Sequence, residues 1–396
     1  MARLYERKLL KEIRKWAGKR AVIVVTGMRQ VGKTTLCRML FDEIQSDNKV
    51  FLDLENPLNR RIFQEADYDN IWANLGQYGI SAGRKAYIFL DEVQLAPDAI
   101  RAVKYLFDHY NVQFFLTGSS SFYLKNLFPE SLAGRKRVFE MFPLDFEEFL
   151  WFKGVKAEMP PGLPQKDKRK NKISHERRTK LYEEYLAYGG FPRVVLESDR
   201  SAKKAIIGDI YTSYFEKDVR SLSDFRDIAR LQDLILLLMR RAGSKLNVLR
   251  IASELGLSRE TVYSYLSFLE ATYFVHLVSP FSRSPDREVS GAKKIYLCDS
   301  GLLNHMAQVS SGTLLENAVF NVLKANEDVH YYQRRTGAEI DFILKKSGIA
   351  VEVKETGTHS DMRQLKKLSA SIGLKKCFVV SKNFVPAKGF IPVTEL

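Results

Sequence analysis

The first 120 residues alternate between short apolar runs and stretches whose apolar positions recur at helical spacing. The apolar runs are rich in β-branched and aromatic residues, which is typical of strands buried in a parallel sheet. They occupy residues 21–25, 50–54, 86–90 and 113–116. Residues 1–20 and the segments between the runs have helical periodicity. Because parallel strands need crossover connections, this order predicts an α/β domain over residues 1–150.

Helical periodicity dominates the middle of the chain. Residues 181–240 predict several helices, interrupted by a Gly-Gly turn, and we interpret them as a lid. Before this lid, residues 151–180 combine prolines with a run of lysines and arginines and contain few apolar side chains. This composition predicts a flexible basic insertion. A solvated loop is its simplest role, and a nucleic-acid or phosphate contact is the alternative.

The pattern over residues 241–306 predicts a winged helix. Two short helices with Ser258 as the N-cap between them have the spacing of a helix-turn-helix, and strands at 273–278 and 293–297 follow. Such modules bind either DNA or other proteins. If this module binds DNA, the groove-facing candidates are Arg259, Thr261, Tyr263 and Ser264.

A segment after the first predicted strand fits the P-loop pattern of two glycines followed by Lys and Thr. Glycines let the loop fold around a phosphate chain, while backbone N–H groups and the helix N-terminus supply positive potential. Lys33 is expected to reach the β- and γ-phosphates, and the Thr34 hydroxyl to take a Mg²⁺ position. The nucleotide-binding candidates are Gly27, Met28, Arg29, Gln30, Val31, Gly32, Lys33, Thr34 and Thr35.

The apolar run at 86–90 ends in Asp91 and Glu92, which is the Walker B pattern. Asp91 is expected to hold Mg²⁺ through water, and Glu92 to polarise the attacking water. Downstream of the next strand, Thr117 or Ser119 is the candidate γ-phosphate sensor. A serine-rich loop that caps the next helix is the alternative.

Two arginines are candidates for phosphate contacts from further along the chain. Arg135, on a predicted loop, could serve as a finger to a nucleotide in its own or a neighbouring subunit, or be a surface charge. Pro192 and Arg193 follow the Gly-Gly turn and could approach the nucleotide from the lid, or belong to an interhelical turn.

The last ninety residues, 307–396, predict a small α/β domain with an acidic hairpin. A turn at Ser347-Gly348 is expected to set Asp341 nearly opposite Lys354, with Glu352 on the same face as Lys354. Glu316, on the preceding helix, could join this cluster. Carboxylates suit a hard cation such as Mg²⁺, and a nearby lysine can orient water or stabilise a phosphate. A surface hairpin of alternating charge is the alternative.

Composition adds a strong positive charge to this picture. The chain has 62 Lys and Arg against 47 Asp and Glu, a net charge of +15, which favours a polyanionic partner such as nucleic acid. A solvated, solubilising surface is the alternative. Three scattered cysteines lack metal-ligand spacing and are typical of a reducing cytoplasm. No apolar run suits a bilayer, so we expect a cytoplasmic protein without membrane partners.

The order of these motifs resembles the archaeal and bacterial AAA+-type ATPases that carry a C-terminal restriction-endonuclease-like domain. The resemblance covers nearly the whole chain, from the P-loop through the Walker B acids and the winged helix to the acidic hairpin. It implies a parallel P-loop sheet of the ASCE type, ATP and Mg²⁺ as cofactors, and a helical lid. It also puts Asp341, Glu352 and Lys354 in the motif positions of the PD-(D/E)XK nucleases, with Glu316 as the helix acid.

Three hypotheses of function follow. The first is an ATP-hydrolysing switch that associates with DNA through the winged helix and C-terminal domain. The second adds Mg²⁺-dependent nuclease activity, for which the catalytic candidates are Asp341, Glu352 and Lys354, with Glu316, Asp341 and Glu352 as metal ligands. The third is a nucleotide-loaded regulatory scaffold whose winged helix and inactive nuclease-like domain bind a protein partner. A homo-oligomer is expected if Arg135 acts on a neighbouring subunit.

Overall fold

The computed structural model describes residues 5–118, 134–220, 227–282, 284–334 and 336–396. The chain divides into two compact units. The first contains Met1–Phe142 with Ala271–Tyr273, and the second contains Pro143–Glu270 with Phe274–Leu396. None of the described helices is long and apolar enough to cross a membrane.

A five-stranded parallel sheet forms the centre of the first unit. Its strand order is β2-β3-β4-β1-β5, so β4 lies between the strand that precedes the P-loop and the strand that ends in the Walker B acids. The strands are β1 (Val22–Thr26), β2 (Lys49–Asp53), β3 (Ala86–Asp91), β4 (Val112–Gly118) and β5 (Lys136–Glu140). The helices are α1 (Lys8–Arg14), α2 (Lys33–Glu43), α3 (Pro57–Arg61), α4 (Tyr68–Gly76) and α5 (Pro97–His109).

Burial explains why the apolar runs form the middle of this sheet. Every residue of β1 and β4 is buried, as expected for strands covered on both faces. The Phe89 ring stacks on Phe115 with a centroid separation of 4.3 Å, which ties β3 to β4. The α/β fold with a central parallel sheet is therefore confirmed. The α1 helix is shorter than the predicted 1–20.

The second unit begins with a set of helices. They are α6 (Phe146–Phe152), α7 (Leu163–Arg169), α8 (Lys172–Tyr188), α9 (Pro192–Leu196), α10 (Arg200–Tyr214) and α11 (Ile228–Arg240), with a π-helical turn at Phe215–Val219.

The predicted flexible insertion at 151–180 is wrong, because helices α7 and α8 occupy most of it. One of its basic side chains, Lys170, is structural: its ammonium donates to Asp167 at 2.7 Å and to the Phe390 carbonyl at 2.9 Å. The buried His175 ring lies 2.8 Å from the Thr394 hydroxyl. These long-range contacts fold the segment against the C-terminal residues, which composition alone does not reveal.

Helices α12 (Val248–Leu255) and α13 (Arg259–Ala271) follow α11, and an antiparallel pair of strands comes next. These strands are β6 (Val275–Val278) and β7 (Lys294–Leu297). Their connection contains a short helix, α14 (Pro285–Ser290). The helices and strands therefore occur where the pattern places them.

The C-terminal part contains a second five-stranded sheet of order β12-β11-β10-β9-β8. Strands β8, β9 and β10 pair antiparallel, whereas β10, β11 and β12 pair parallel. The strands are β8 (Val329–Gln333), β9 (Glu339–Leu344), β10 (Ile349–Lys354), β11 (Lys376–Ser381) and β12 (Phe390–Pro392). The helices are α15 (Ser300–Ala307), α16 (Ser311–Lys324) and α17 (His359–Ser371).

Candidate functional site

The P-loop connects the carboxyl end of β1 to the start of α2. Gly27 has φ +148°, and a Cβ at this position would lie 2.1 Å from the Met141 carbonyl oxygen, so only glycine fits. Gly32 is the N-cap of α2 and has the left-handed φ of 101°. The loop thus passes directly into a helix N-terminus, where backbone N–H groups can receive an anion.

Lys33 is buried at the first turn of α2, with 5% of its surface exposed. Its ammonium donates to the carbonyl oxygens of Gly27 at 2.9 Å and Met28 at 3.0 Å. These bonds hold the lysine across the loop where the phosphates are expected. The other loop candidates differ in exposure: Met28 and Val31 are buried, Arg29, Gln30 and Thr34 are half-buried, and Thr35 is exposed.

Arg7 supports the P-loop from the N-terminal segment, a role that the sequence analysis missed. Its guanidinium donates to the Val31 carbonyl at 2.9 Å and to the Phe142 carbonyl at 2.8 Å. Only 6% of Arg7 is exposed. A lone arginine near an amphipathic helix carries no signal for such a contact, because its partners are backbone atoms far along the chain.

Asp91 lies at the carboxyl end of β3 and is buried beside two hydroxyl groups. It accepts hydrogen bonds from the side chains of Thr117 and Thr34. Burial raises the pKa of Asp91, and the charges of Glu92 and Asp53 add to that rise, while the two hydroxyl hydrogen bonds oppose it. A buried carboxylate next to a threonine hydroxyl is a donor set that fits Mg²⁺, as predicted for Thr34 and Asp91.

Glu92 occupies a strained backbone conformation beside Asp91. Its φ of 56° is in the left-handed region, which is uncommon for a residue other than glycine. Its N–H donates to the Thr117 hydroxyl at 3.1 Å. Its carboxylate accepts a hydrogen bond from the Gln94 amide, so Gln94 orients Glu92. Gln94 was not singled out from the sequence.

Thr117 reaches the site because β4 lies directly beside both β1 and β3. Val25 pairs with Thr117, so the strand that precedes the P-loop lies directly beside this strand. The hydroxyl of Thr117 binds the two Walker B residues, and its role as a γ-phosphate sensor stays a prediction. Ser119, the other sensor candidate, lies outside the described residues.

Arg135 lies at the wrong end of the sheet to reach a nucleotide in its own subunit. It precedes β5, whose first residue pairs with Val22 at the amino end of β1, whereas the P-loop follows the carboxyl end. A strand of this length separates the two edges by about 13 Å. The Arg135 guanidinium instead donates to Asp108 at 2.8 Å. The finger in its own subunit is therefore wrong, and action on a neighbouring subunit stays a prediction.

Pro192 and Arg193 belong to the second unit. Pro192 is the first residue of α9, and Arg193 is exposed and lies 4.0 Å from the Asp209 carboxylate. The preceding Gly190 donates its N–H to Asp299 at 2.7 Å. The turn therefore has a structural role of its own, and contact of Pro192 or Arg193 with a nucleotide stays a prediction.

The DNA-binding candidates share the solvent-facing side of α13. Arg259, Tyr263 and Ser264 are exposed, and Thr261 is half-buried and within 3.0 Å of the Ser258 hydroxyl. The opposite side of the helix packs inward through residues such as Leu266. Exposure leaves all four candidates accessible, and their contact with DNA stays a prediction.

The acidic hairpin of β9 and β10 has a different register from the predicted one. Val351 pairs with Phe342, so the next position sets Asp341 beside Glu352 rather than opposite Lys354. The reason is the turn, which occupies residues 345–348 and so shifts the pairing by two positions. Asp341 accepts a hydrogen bond from the Val353 N–H at 2.8 Å, and the Lys354 ammonium donates to Glu352 at 2.7 Å.

Glu316 approaches the same cluster from α16, but its carboxylate has protein partners. The Tyr296 hydroxyl donates to it at 2.6 Å, and the buried Lys294 ammonium lies 3.5 Å away. Lys294 also pairs with Glu339. Among the described residues, no three Asp, Glu, His or Cys side chains are placed so that they could hold a metal ion. The predicted three-carboxylate metal set is therefore wrong, because Lys294 and Tyr296 engage Glu316.

Burial dominates the electrostatics of this acid cluster. It raises the pKa of Asp341 well above its ordinary value, and the charges of Glu352 and Glu316 add to the rise. Burial also raises the pKa of Glu352, which the Lys354 ammonium opposes. Four carboxylates (those of Glu316, Glu339, Asp341 and Glu352) lie near two ammonium groups, so the cluster retains a negative charge that favours protonation of Asp341 and Glu352.

A cavity of about 290 Å³ opens beside the cluster. Glu339, Glu352 and Lys354 line it, together with Arg334 and with Lys367 of α17. The mixture of carboxylate, ammonium and guanidinium groups gives the cavity a polar character. Lys294 was missed from the sequence because it lies on β7, far along the chain from the hairpin.

Comparison with known proteins gives three matches to protein families. Residues 19–150 match a family described as an AAA domain. Residues 179–313 and 311–393 match two families described as domains of unknown function, DUF8612 and DUF4143. The AAA match covers the P-loop and both Walker B acids.

Relatives and solved structures extend over most of the chain. An uncharacterized protein of Methanocaldococcus jannaschii is 28% identical over 87% of this chain and 78% of its own length. One of Haemophilus influenzae is 26% identical over 85% of this chain and 84% of its own. The Walker-type ATPase paby2304 of Pyrococcus abyssi covers 76% of this chain and 96% of its own at 13% identity, with a TM-score of 0.48. The ORC2 protein of Aeropyrum pernix covers 79% and 92% at 14% identity, with a TM-score of 0.38.

Proposed function

From the AAA-type P-loop domain at residues 19–150, we propose that this chain is a Mg²⁺-dependent ATPase whose nucleotide state is coupled to DNA. One observation carries the proposal. The buried Asp91 is hydrogen-bonded to Thr34 of the P-loop helix and to Thr117 of the adjacent strand, beside the loop that holds Lys33. Loop, helix and two strands thus support the proposal by bringing Lys33, Thr34, Asp91 and Thr117 to one edge of the sheet.

Each of these side chains has a distinct role in the proposed reaction. The Lys33 ammonium binds the β- and γ-phosphates of ATP, and the P-loop N–H groups surround the phosphate chain. Thr34 and Asp91 would hold Mg²⁺, which neutralises phosphate charge when bound. Glu92 orients the attacking water and accepts its proton, and the hydrogen bond from Gln94 fixes the direction of its carboxylate.

The coupling to DNA rests on charge and on the exposed side of α13. The net charge of +15 favours a polyanion. Helices α11, α12 and α13 with strands β6 and β7 have the element order of a winged helix, and Tyr263, 60% exposed, lies on the outward side of its second helix-turn-helix helix. In this proposal the winged helix and the C-terminal domain contact DNA in a manner that changes with bound nucleotide.

ATP hydrolysis by the full chain tests the proposal. Turnover is measured with and without duplex DNA at two salt concentrations, with Glu92→Gln as the background. Turnover above that background supports the ATPase activity. Stimulation of turnover by DNA at low salt, and weaker stimulation at high salt, supports the coupling to DNA. A rate equal to that of Glu92→Gln contradicts the ATPase. A rate that DNA leaves unchanged at low salt contradicts the coupling.

A second candidate function is a nucleotide-dependent scaffold that binds a protein partner through an inactive nuclease-like domain. The engagement of Glu316 by Lys294 and Tyr296 favours it, because this acid is then occupied by the protein itself. Cleavage of DNA in the presence of Mg²⁺ distinguishes this inactive domain from an active nuclease. Cleavage by the wild type that Asp341→Ala abolishes supports a nuclease and contradicts the inactive domain. Cleavage absent from both, or equal in both, contradicts a nuclease at this site.

A further inference from the structure

Helix α13, which carries the DNA-binding candidates, passes from one compact unit into the other. Its residues up to Glu270 belong to the second unit, whereas Ala271, its last residue, belongs to the first unit together with Thr272 and Tyr273. The chain returns to the second unit at Phe274. The segment 271–273 therefore joins the first unit directly to the end of this helix.

Tyr273 follows α13 in a backbone conformation that tyrosine rarely adopts. Its φ of 62° is in the left-handed region, and the Phe274 N–H donates to the Leu269 carbonyl at 3.0 Å. This bond is typical of helix ends whose left-handed position is held by glycine. Helix α12 has that usual ending, since Gly256 follows it with the same φ of 62°. A left-handed tyrosine is strained, and such a residue persists where its surroundings hold it in place.

The side chain of Tyr273 makes contacts within the first unit that hold it in place. Only 6% of the residue is exposed. Its hydroxyl donates to the Glu140 carboxylate at 3.2 Å, and its ring meets the Phe142 ring edge-on with a centroid separation of 6.2 Å. Glycine at this position would avoid the strain but would lose both contacts. The contacts, rather than the helix ending, therefore account for a tyrosine here.

Both partners of Tyr273 belong to segments that adjoin the P-loop. Glu140 is the last residue of β5, which pairs with β1, the strand that leads into the loop. The Phe142 carbonyl accepts a hydrogen bond from Arg7 at 2.8 Å. The same guanidinium donates to the Val31 carbonyl inside the P-loop at 2.9 Å. Arg7 and the two rings therefore connect the P-loop to the end of α13 by direct contacts.

We propose that Tyr273 couples occupancy of the P-loop to α13. Phosphate binding orders the N–H groups of the loop, and Arg7 transmits this order to Phe142 and so to the Tyr273 ring. The last turn of α13 is then held more tightly when nucleotide is bound, and Tyr273 acts as a positioning residue. Its strained φ supplies a second state, because loss of its contacts lets the backbone leave the left-handed region. This coupling rests on the proposed function, since it requires a nucleotide at the P-loop.

Hydrogen exchange of the full chain tests the coupling. It is measured by mass spectrometry with Mg²⁺, with and without the non-hydrolysable ATP analogue adenylyl imidodiphosphate, and calorimetry gives the affinity of the same preparation for the analogue. We expect the analogue to slow exchange in the P-loop and, by about threefold or more, at the amides of residues 268–274.

Three outcomes separate this coupling from the proposed function. An analogue that does not bind contradicts the nucleotide site and the coupling together. An analogue that binds and slows exchange in the P-loop but not at 268–274 overturns the coupling alone. Slower exchange at 268–274, together with an ATP turnover that DNA leaves unchanged, supports the coupling and contradicts only the proposed link to DNA.

Tyr273→Gly is the most direct variant, because glycine fits the left-handed position and lacks both contacts. Its affinity for the analogue is expected to stay within about threefold of the wild type, while the slower exchange at 268–274 disappears. Tyr78→Phe, which removes the hydroxyl of a tyrosine that is 46% exposed in the same unit, is the control and keeps the wild-type response. A response retained in Tyr273→Gly means that the P-loop reaches α13 by another route and overturns the proposal.

Two milder variants test the proposal even if Tyr273→Gly does not fold. Tyr273→Phe and Glu140→Ala each remove one end of the same hydrogen bond and leave the ring contact with Phe142. We expect each to reduce the effect of the analogue at 268–274 by about twofold, and the double variant to reduce it no further, because both changes break one bond. A wild-type response in both single variants contradicts the role of Tyr273.

Discussion

The nucleotide site of the first unit and the acid cluster of the second unit use the same side-chain types in different surroundings. Asp91 is hydrogen-bonded to the hydroxyls of Thr34 and Thr117. In the acid cluster, by contrast, the ammonium groups of Lys294 and Lys354 pair directly with carboxylates. A hydroxyl orients a carboxylate without neutralising it, whereas an ammonium group supplies the opposite charge itself.

This difference indicates what each site needs from a ligand. In the nucleotide site, the Asp91 carboxylate has no ammonium group of the described residues bound to it in place of a metal ion, and a helix N-terminus lies nearby. This arrangement suits a phosphate chain with its metal ion. The acid cluster already holds cations that belong to the chain, and these stabilise the fold. The comparison therefore predicts that substitutions of the charged side chains act on different properties, activity in the first site and stability in the second.

Removing Lys294 is expected to have the largest effect on stability. Its side chain is 5% exposed and lies between Glu316 and Glu339, so Lys294→Met leaves these half-buried carboxylates, beside the buried Asp341, without their counter-ion. The expected loss is about 3–5 kcal/mol of unfolding free energy. Hydrogen exchange of the β7 and β10 amides measures it, with Lys346→Met as the exposed control. Equal exchange in the two variants would show that Lys294 does not stabilise the cluster.

A substitution at Gly27 tests the nucleotide site through its effect on stability and on ATP binding. The added methyl group of Gly27→Ala would lie 2.1 Å from the Met141 carbonyl oxygen, and the φ of +148° is unfavourable for alanine. We expect a loss of about 1–3 kcal/mol and weaker ATP binding. Gly76→Ala is the matched control, since a Cβ there meets nothing within 4 Å. Thermal unfolding with and without ATP measures both effects, and similar melting temperatures for the two variants would refute the close contact.

The smallest effect, of opposite sign, is expected for Asp341→Asn. The raised pKa of Asp341 means that the folded protein holds a proton that the unfolded chain has lost, so stability falls as the pH rises from about 4 through that raised pKa. The neutral amide removes this penalty. We expect a gain of about 1 kcal/mol at neutral pH that vanishes near pH 4.

Urea unfolding between pH 4 and pH 8 measures this gain. Asp328→Asn, whose carboxylate is 86% exposed, is the control and is expected to keep the pH dependence of the wild type. A stability of Asp341→Asn that runs parallel to the wild-type curve at every pH would show that Asp341 is not destabilised by its neighbours. The acid cluster would then resemble the nucleotide site more closely than we propose.

The two sites also differ in how far the sequence predicts them. The P-loop, Asp91 and Glu92 are recognisable because one short loop and one strand end carry the chemistry, and parallel strands bring their carboxyl ends together. The partners that orient them, Arg7 and Gln94, escape prediction. Arg7 binds a backbone carbonyl, and backbone partners cannot be recognised from the pattern of side chains. Gln94 reaches the Glu92 carboxylate only because the chain turns tightly at Glu92.

The sequence predicts which hairpin residues belong to the acid cluster, but it does not predict their contacts. Alternation along β9 and β10 places Asp341 and Glu352 on one face, but the register depends on the length of the turn between the strands. Lys294 joins from β7, and no local pattern links it to the hairpin. The prediction of a flexible insertion at 151–180 was wrong for a related reason. Long-range hydrogen bonds such as that of Lys170 to Phe390 determine the structure of this segment.

The central claim is that Glu92 acts in hydrolysis while Lys33 and the P-loop bind the nucleotide. Glu92→Gln tests it most directly when ATP affinity and single-turnover hydrolysis are measured on the same preparation. The account predicts an affinity within about threefold of the wild type, because one neutral amide replaces a group that does not bind the phosphates, and a hydrolysis rate lower by about 10²–10⁴-fold. Hydrolysis at the wild-type rate, or a loss of ATP affinity with the same rate when bound, would contradict it.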